Sequence, residues 1–241
     1  MAIHNLDRTL NLLSHGALEL HGQFVRGSNA TLLVRVSNNK EKCWAVYKPS
    51  RGENPLWDFP DGSLAAREVA AFHISEFLGW HFVPPTVLRQ DAPFGEGSLQ
   101  QFFQYDPDVH YFTFDARIRA LLDRVALFDL IINNADRKGS HLLLDADDRL
   151  WLIDHGLTFH HEPKLRTVIW EFAGEPIPPS LLADVQALVN TLTNCSDQMD
   201  ILLNLITPRE VDALLQRARQ LLEEKLFPEP GERRVFPYPL I

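Results

Sequence analysis

The stretch Asp129-Leu-Ile-Ile-Asn-Asn134-Ala-Asp136-Arg-Lys138-Gly-Ser-His141-Leu-Leu-Leu144, with Leu150-Trp-Leu-Ile-Asp154-His-Gly156-Leu157 after a short polar turn, decides how this chain is read. An apolar helix end runs straight into Asn, Asp, Arg, Lys and His, then returns to apolar strand. Polar groups compressed between two buried elements are costly unless they bind one another or a ligand. Capping the helix accounts for one of Asn133 and Asn134. It does not account for Asp136, Lys138 and His141 together. The second apolar strand ends in Asp154 and Gly156, a pattern that presents one acid at a strand terminus, although Asp and Gly also make ordinary turns. A hairpin between them would bring Asp136 and Asp154 together in space. Two acids with a histidine at one point suit a hard cation.

Upstream, Ala45-Val-Tyr-Lys48-Pro49 reads as a strand stopped by proline. Alternation places Val46 and Lys48 on one face, so a cation ends an otherwise apolar strip. By itself this reads better as an edge-strand lysine reaching solvent. Arg67-Glu68 lies on a helix expected to start near Ser63 and to end at Gly79. Among Ala65, Val69 and Phe72, Glu68 either points toward the sheet and meets Lys48 or stays solvated.

Around these motifs the chain divides by periodicity. A short helix is expected over 6–14, β-like runs over Ala17–Phe24 and Thr31–Ser37, and short strands at Pro85–Arg89 and Ser98–Phe103. One long amphipathic helix is expected from Phe114 to about Asn133. The hairpin follows, then helices over Pro179–Leu192 and Pro208–Lys225 and a Pro-rich extended tail. A sheet-rich first part and a helix-rich second part make an α+β arrangement with two lobes, 1–103 and 104–241.

The bulk properties exclude several classes. Hydrophobic residues at 45% and charged residues at 23% are ordinary globular proportions, not those of a disordered chain. A net charge of −9 argues against a general nucleic-acid or anionic-membrane surface. No apolar run reaches the roughly 18 residues needed to span a bilayer, and the first residues carry no signal-peptide core. Cys43 and Cys195 make neither a disulfide framework nor a zinc set, which points to a reducing cytoplasm.

A strand Lys, a helix Glu, an Asp loop and a strand-ending Asp-x-Gly come in the order of protein-kinase-like folds. Residues 17–175 resemble the atypical members, the phosphatidylinositol 3-/4-kinases, especially type II 4-kinases, and HipA-like bacterial kinases. Asn134-Ala-Asp136-Arg137 is similar to their Asn-x-Asp-Arg loop, and Ile153-Asp154-His155-Gly156-Leu157-x-Phe159 to the type II Ile-Asp-Asn-Gly-Leu-x-Phe segment. Strings such as Ser28-Asn-Ala-Thr and Lys138-Gly-x-His141 also resemble a bacterial family described as phosphatidylinositol 3-/4-kinase-like.

The resemblance implies a two-lobed kinase-like fold, ATP as cofactor, and Mg2+ or Mn2+. Lys48, braced by Glu68, would hold the α/β-phosphates. The loop containing Gly27, Ser28 and Asn29 would close over them. Val46 would lie against the purine, and Gln101, Phe102 and Phe103 would form the adenine hinge. Asp136 would orient or deprotonate the acceptor, and Lys138 would neutralise the transferring phosphoryl. Asp154 and His141 would bind the metal. His141 stands where these families place Asn, which leaves metal preference open, and His155 replaces the Phe of most protein kinases.

Lys164 and Arg166 lie where such folds receive the acceptor, either touching an anionic group or forming a solvated loop. No amphipathic basic helix marks a membrane binder. The acceptor stays open among a small polyol, an inositol-like molecule, a lipid head group and a protein hydroxyl. The leading function is therefore an ATP- and metal-dependent phosphotransferase. A nucleotide-binding pseudokinase is the alternative. A phosphohydrolase built on His141, His155, His160 and His161 with the two acids ranks below both, because it leaves Lys48 and Glu68 idle.

Overall fold

The computed structural model describes residues 3–24, 30–231 and 234–241. Helix α1 (Ile3–His15) leads into strands β1 (Ala17–Gln23), β2 (Leu32–Ser37) and β3 (Lys42–Pro49). Helix α2 (Leu64–Phe77) follows, and strands β4 (Thr86–Arg89) and β5 (Gly97–Gln101) complete an antiparallel sheet in the order β1-β2-β3-β5-β4. Alternation sorts the sheet into two faces. Val34, Val36, Ala45, Tyr47 and Leu99 are buried with Leu12 and Leu13 of α1, so an N-terminal helix closes the outer face. Val46 and Lys48 project from the opposite face, half-buried. Helix α2 packs along β4 and β5.

The chain then becomes helical. Short helix α3 (Ala116–Arg119) precedes α4 (Leu122–Ile132), the hairpin β6 (Leu142–Leu144) and β7 (Leu150–Leu152), and helices α5 (Pro179–Asn194), α6 (Ser196–Leu203) and α7 (Pro208–Glu224). Helix α4 is apolar nearly all round, with Val125, Ala126, Leu127, Phe128, Ile131 and Ile132 buried, and so it forms the centre of this half. Its core extends into α2 through Ala70, Phe72 and Ile74 and outward to α5 and α7. Helix α7 starts on Pro208 behind a capping box in which Thr207 and Glu210 satisfy each other's backbone N–H groups. The result is the expected α+β, two-lobed kinase-like fold.

Two helix expectations need correcting. The single helix over 114–133 is broken at Ala120–Leu121 and preceded by a 3-10 turn at Tyr111–Thr113. The break leaves Leu121 exposed while Ile118 and Leu122 both turn inward. The interval between the last two predicted helices holds α6, which buries Leu202 fully.

Candidate active site

Lys48 lies on the inner face of β3, and its ammonium meets two carboxylates. Its Nζ is 2.5 Å from Glu68 Oε1, twenty residues on in α2, and 2.9 Å from Asp154 Oδ1. Burial works against the ammonium, but Asp154 and Glu68 outweigh it and raise its pKa. The two acids differ. Glu68 is buried and also accepts the backbone N–H of His155 at 3.0 Å, whereas the Asp154 side chain is 49% exposed. The charge of Lys48 is the main reason Asp154 is held well below the ordinary carboxylate range. Asp154 sits at φ 63, in the left-handed region that Asp and Asn tolerate best among residues with a Cβ. Gly156 follows because a Cβ there would come 3.3 Å from Leu64 of α2.

His141 completes this corner, its Nε2 3.3 Å from Asp154 Oδ2. Burial pushes its pKa down to about 3, so the imidazole is neutral and able to ligate. Among the described residues no group of three or more His, Cys, Asp or Glu side chains could hold a metal. Asp154 and His141 fit a cation that takes its remaining ligands from phosphates and water. A mixed nitrogen–oxygen pair suits Mn2+ better than Mg2+.

The loop over residues 133–138 is built on a buried ion pair absent from the sequence reading. Asp129 of α4 is fully buried and receives Arg137 Nε at 3.0 Å, Arg137 Nη2 at 2.9 Å and Asn134 Nδ2 at 3.0 Å. Asn133, at φ 52, caps α4; its side chain donates to the carbonyls of His160 and Glu162 and accepts from Lys164 N–H. Asn134 Oδ1 accepts the N–H of Asp136 at 3.0 Å. Arg137 pairs with Thr167 as a parallel bridge, so both side chains point inward to Asp129. Asp136 is thereby turned outward and half-buried, with Lys138 Nζ 3.0 Å from its Oδ2. Burial raises the Asp136 pKa, and Lys138 pulls it part of the way back.

His155 is fully buried and is a framing residue rather than a ligand. Its Nε2 accepts from Arg137 Nη2 at 2.9 Å, which puts its proton on Nδ1, 4.0 Å from Glu68 Oε2. His160 accepts the N–H of Glu162 and stacks on His161. The four histidines suggested for a hydrolytic centre therefore serve different purposes, and that reading is not supported.

Helix α2 is fastened to the helical half by Arg67, next to Glu68. Arg67 donates to Glu210 Oε1 of α7 and to the carbonyl of Thr158, each at 2.6 Å, and lies over the Phe59 ring. Both members of the Arg67–Glu210 pair are buried. A lysine cannot reproduce this forked geometry. Arg67→Lys is therefore expected to cost on the order of 2 kcal/mol in chemical denaturation. Unchanged stability would contradict this role.

At the proposed hinge, the N–H groups of Gln101 and Phe102 are engaged with the carbonyls of Pro85 and Trp44. The Phe103 ring stacks 4.3 Å from that of Trp151. Gly27, Ser28 and Asn29 lie outside the described residues. Leu143 was not singled out in the sequence. In the hairpin, Leu142, Leu150 and Leu152 enter the helical core, whereas Leu143 and its partner Trp151 are buried yet belong to none of the apolar clusters. Period-2 alternation from His141 was the available signal, since it puts Leu143 on the same side as His141.

No protein-family model matches the sequence. It is 36% identical over 267 residues to protein Rv2133c of Mycobacterium tuberculosis, an alignment covering 95% of this chain and 94% of that protein. Among solved structures, the Golgi casein kinase with Mn/ADP bound superposes with a TM-score of 0.59 at 16% identity, over 100% of this chain and 81% of that one. The Helicobacter pylori proinflammatory kinase CtkA gives 0.55 at 11% identity, over 89% and 94%. At these identities the likeness is one of fold, and the fold is kinase-like.

Proposed function

The chain belongs to the family of Mycobacterium tuberculosis protein Rv2133c, and we propose that it is a divalent-metal-dependent phosphotransferase moving the γ-phosphoryl of ATP to a hydroxyl acceptor. The observation that carries this reading is the connection of Lys48, Glu68, Asp154 and His141, drawn from β3, α2 and the segments flanking the β6–β7 hairpin. Perturbed groups gathered in this way support the reading of a reacting site.

Lys48 would hold the α/β-phosphates. Of its two partners, Asp154 is the one free to exchange, because Glu68 is buried and pinned by the His155 N–H. Asp154 and His141 would hold Mg2+ or Mn2+, which when bound neutralises charge on the β- and γ-phosphates. Val46 from the sheet and Leu143 from the hairpin would enclose the purine, with the backbone of Phe103 at its edge. Transfer breaks the bond from the γ-phosphorus to the β–γ bridging oxygen and forms one to the acceptor oxygen. ADP departs, and the hydroxyl proton passes to the Asp136 carboxylate. Lys138 stands ready to neutralise the moving phosphoryl group.

Asp136→Asn is expected to lower phosphoryl transfer by about 10²–10⁴-fold, the usual contribution of a general base, while ATP still raises the melting temperature. In the wild type, activity should fall as pH drops through the raised pKa of Asp136, and the variant should lose that acid limb. Full activity of the variant would remove Asp136 from the mechanism. His141, in place of an amide side chain, favours one other reading, a nucleotide-binding pseudokinase. Metal-dependent stabilisation by ATP with no transfer under Mg2+ or Mn2+ would select it.

A further inference from the structure

Two cations follow the loop over residues 133–138, and the structure separates them. Lys164 is committed: its Nζ lies 2.9 Å from Asp58 Oδ2, both side chains nearly buried, and over the Trp57 ring at 5.0 Å. Arg166 is not. Its backbone is fixed, with its N–H on the Asn134 carbonyl and its carbonyl accepting from Arg137 N–H, each at 2.9 Å. Arg137 and Thr167 are partners in an isolated parallel bridge with both side chains turned to Asp129, so Asp136 and Arg166, each one residue earlier, turn away from it. The residue is half-buried, and its guanidinium has neither a hydrogen bond nor an ion pair among the described residues. Its charge reaches Asp136, where it helps to offset the effect of burial.

The chain holds 32 acidic against 23 basic residues, so carboxylate partners are plentiful. A guanidinium on a fixed backbone beside the proposed base that has acquired none is available to a ligand. Its five donors in a rigid fork match the oxygens of a phosphate or carboxylate.

We infer that the acceptor carries its own anionic group, a phosphate or carboxylate close to the reacting hydroxyl, and that Arg166 binds it. This rests on the phosphotransferase reading above. The anion takes no part in bond making; it places the hydroxyl against Asp136. A soluble phosphorylated polyol and a phosphate-bearing lipid head group share this chemistry.

The test measures transfer from radiolabelled ATP to matched pairs. These are glycerol against glycerol 3-phosphate, glucose against glucose 6-phosphate, and diacylglycerol against phosphatidylglycerol in phosphatidylcholine vesicles. The soluble pairs and the vesicle pair distinguish the two sources. In the wild type the anionic member of at least one pair should show kcat/KM about tenfold or more above its neutral partner, the scale of a charge-assisted contact. Arg166→Gln should bring that ratio toward one, and Arg166→Lys should restore part of it. If no pair is turned over, inorganic phosphate is the probe: added to the protein with Mg2+ and ADP, it should raise the melting temperature of the wild type and not of Arg166→Gln. Equal turnover of both members, a ratio untouched by Arg166→Gln, or no phosphate-dependent shift overturns the inference. Stabilisation by ATP and metal is recorded alongside. Its presence without anion selectivity refutes the role of Arg166 alone. Its absence in the wild type refutes the phosphotransferase reading and the inference with it.

Discussion

Asp154→Asn is expected to abolish ATP-dependent phosphoryl transfer, with a loss on the order of 10³ or more, while leaving the melting temperature nearly unchanged. Asparagine is the right substitution because residue 154 sits at φ 63, where alanine would add backbone strain and asparagine would not. The packing is also kept, since the side chain is half-exposed and its removed charge leaves Lys48 still paired with Glu68. What disappears is the carboxylate whose two oxygens meet Lys48 and His141. A catalytic metal contributes several kcal/mol of charge stabilisation in the transition state, and each 1.36 kcal/mol is about a factor of ten in rate. The measurement is radiolabelled transfer with Mg2+ and with Mn2+, together with the melting temperature in the presence and absence of ATP and metal. Activity within tenfold of wild type under either metal would show that Asp154 does not hold the ion.

Asp129→Ala is expected to produce the largest loss of stability. It would strand the Arg137 guanidinium, fully buried against His155, without its counter-charge. Breaking a buried pair by removing one partner costs about 3–5 kcal/mol, which for a chain of this size lowers the melting temperature by on the order of 10 °C. Removing both charges is a different experiment. Asp129→Ala combined with Arg137→Met leaves no uncompensated ion and should recover part of the loss. Phosphoryl transfer should nevertheless stay low in the double variant, because Arg137 sets the side from which Asp136 projects. A single variant as stable as wild type would mean that the pair does not organise the loop.

The sequence by itself determined the fold class and the chain order of the chemical groups. Lys48 at the end of an alternating strand, Glu68 on the next helix, Asp136 after an apolar helix and Asp154 at a strand terminus are local patterns, each legible within a window of about ten residues. Local reading faltered where the signal was not local. The break at Ala120–Leu121 depends on which side chains the rest of the protein can bury, and α6 closes on Leu202 only because α5 and α7 are present. His155 looked like a substituted packing residue or a metal ligand; its partners are Arg137, 18 residues before it, and Glu68, 87 residues before it. Arg67 gave no sign of its bond to Glu210, 143 residues away. Lys164 and Arg166 were indistinguishable as text. Tertiary structure alone decided that Asp58 neutralises one and that the other stays unpaired among the described residues, near Asp136. The physical reason is the same in each case: backbone periodicity is written in neighbouring residues, whereas the partner of a buried charge is whichever group the folded chain brings within hydrogen-bonding distance.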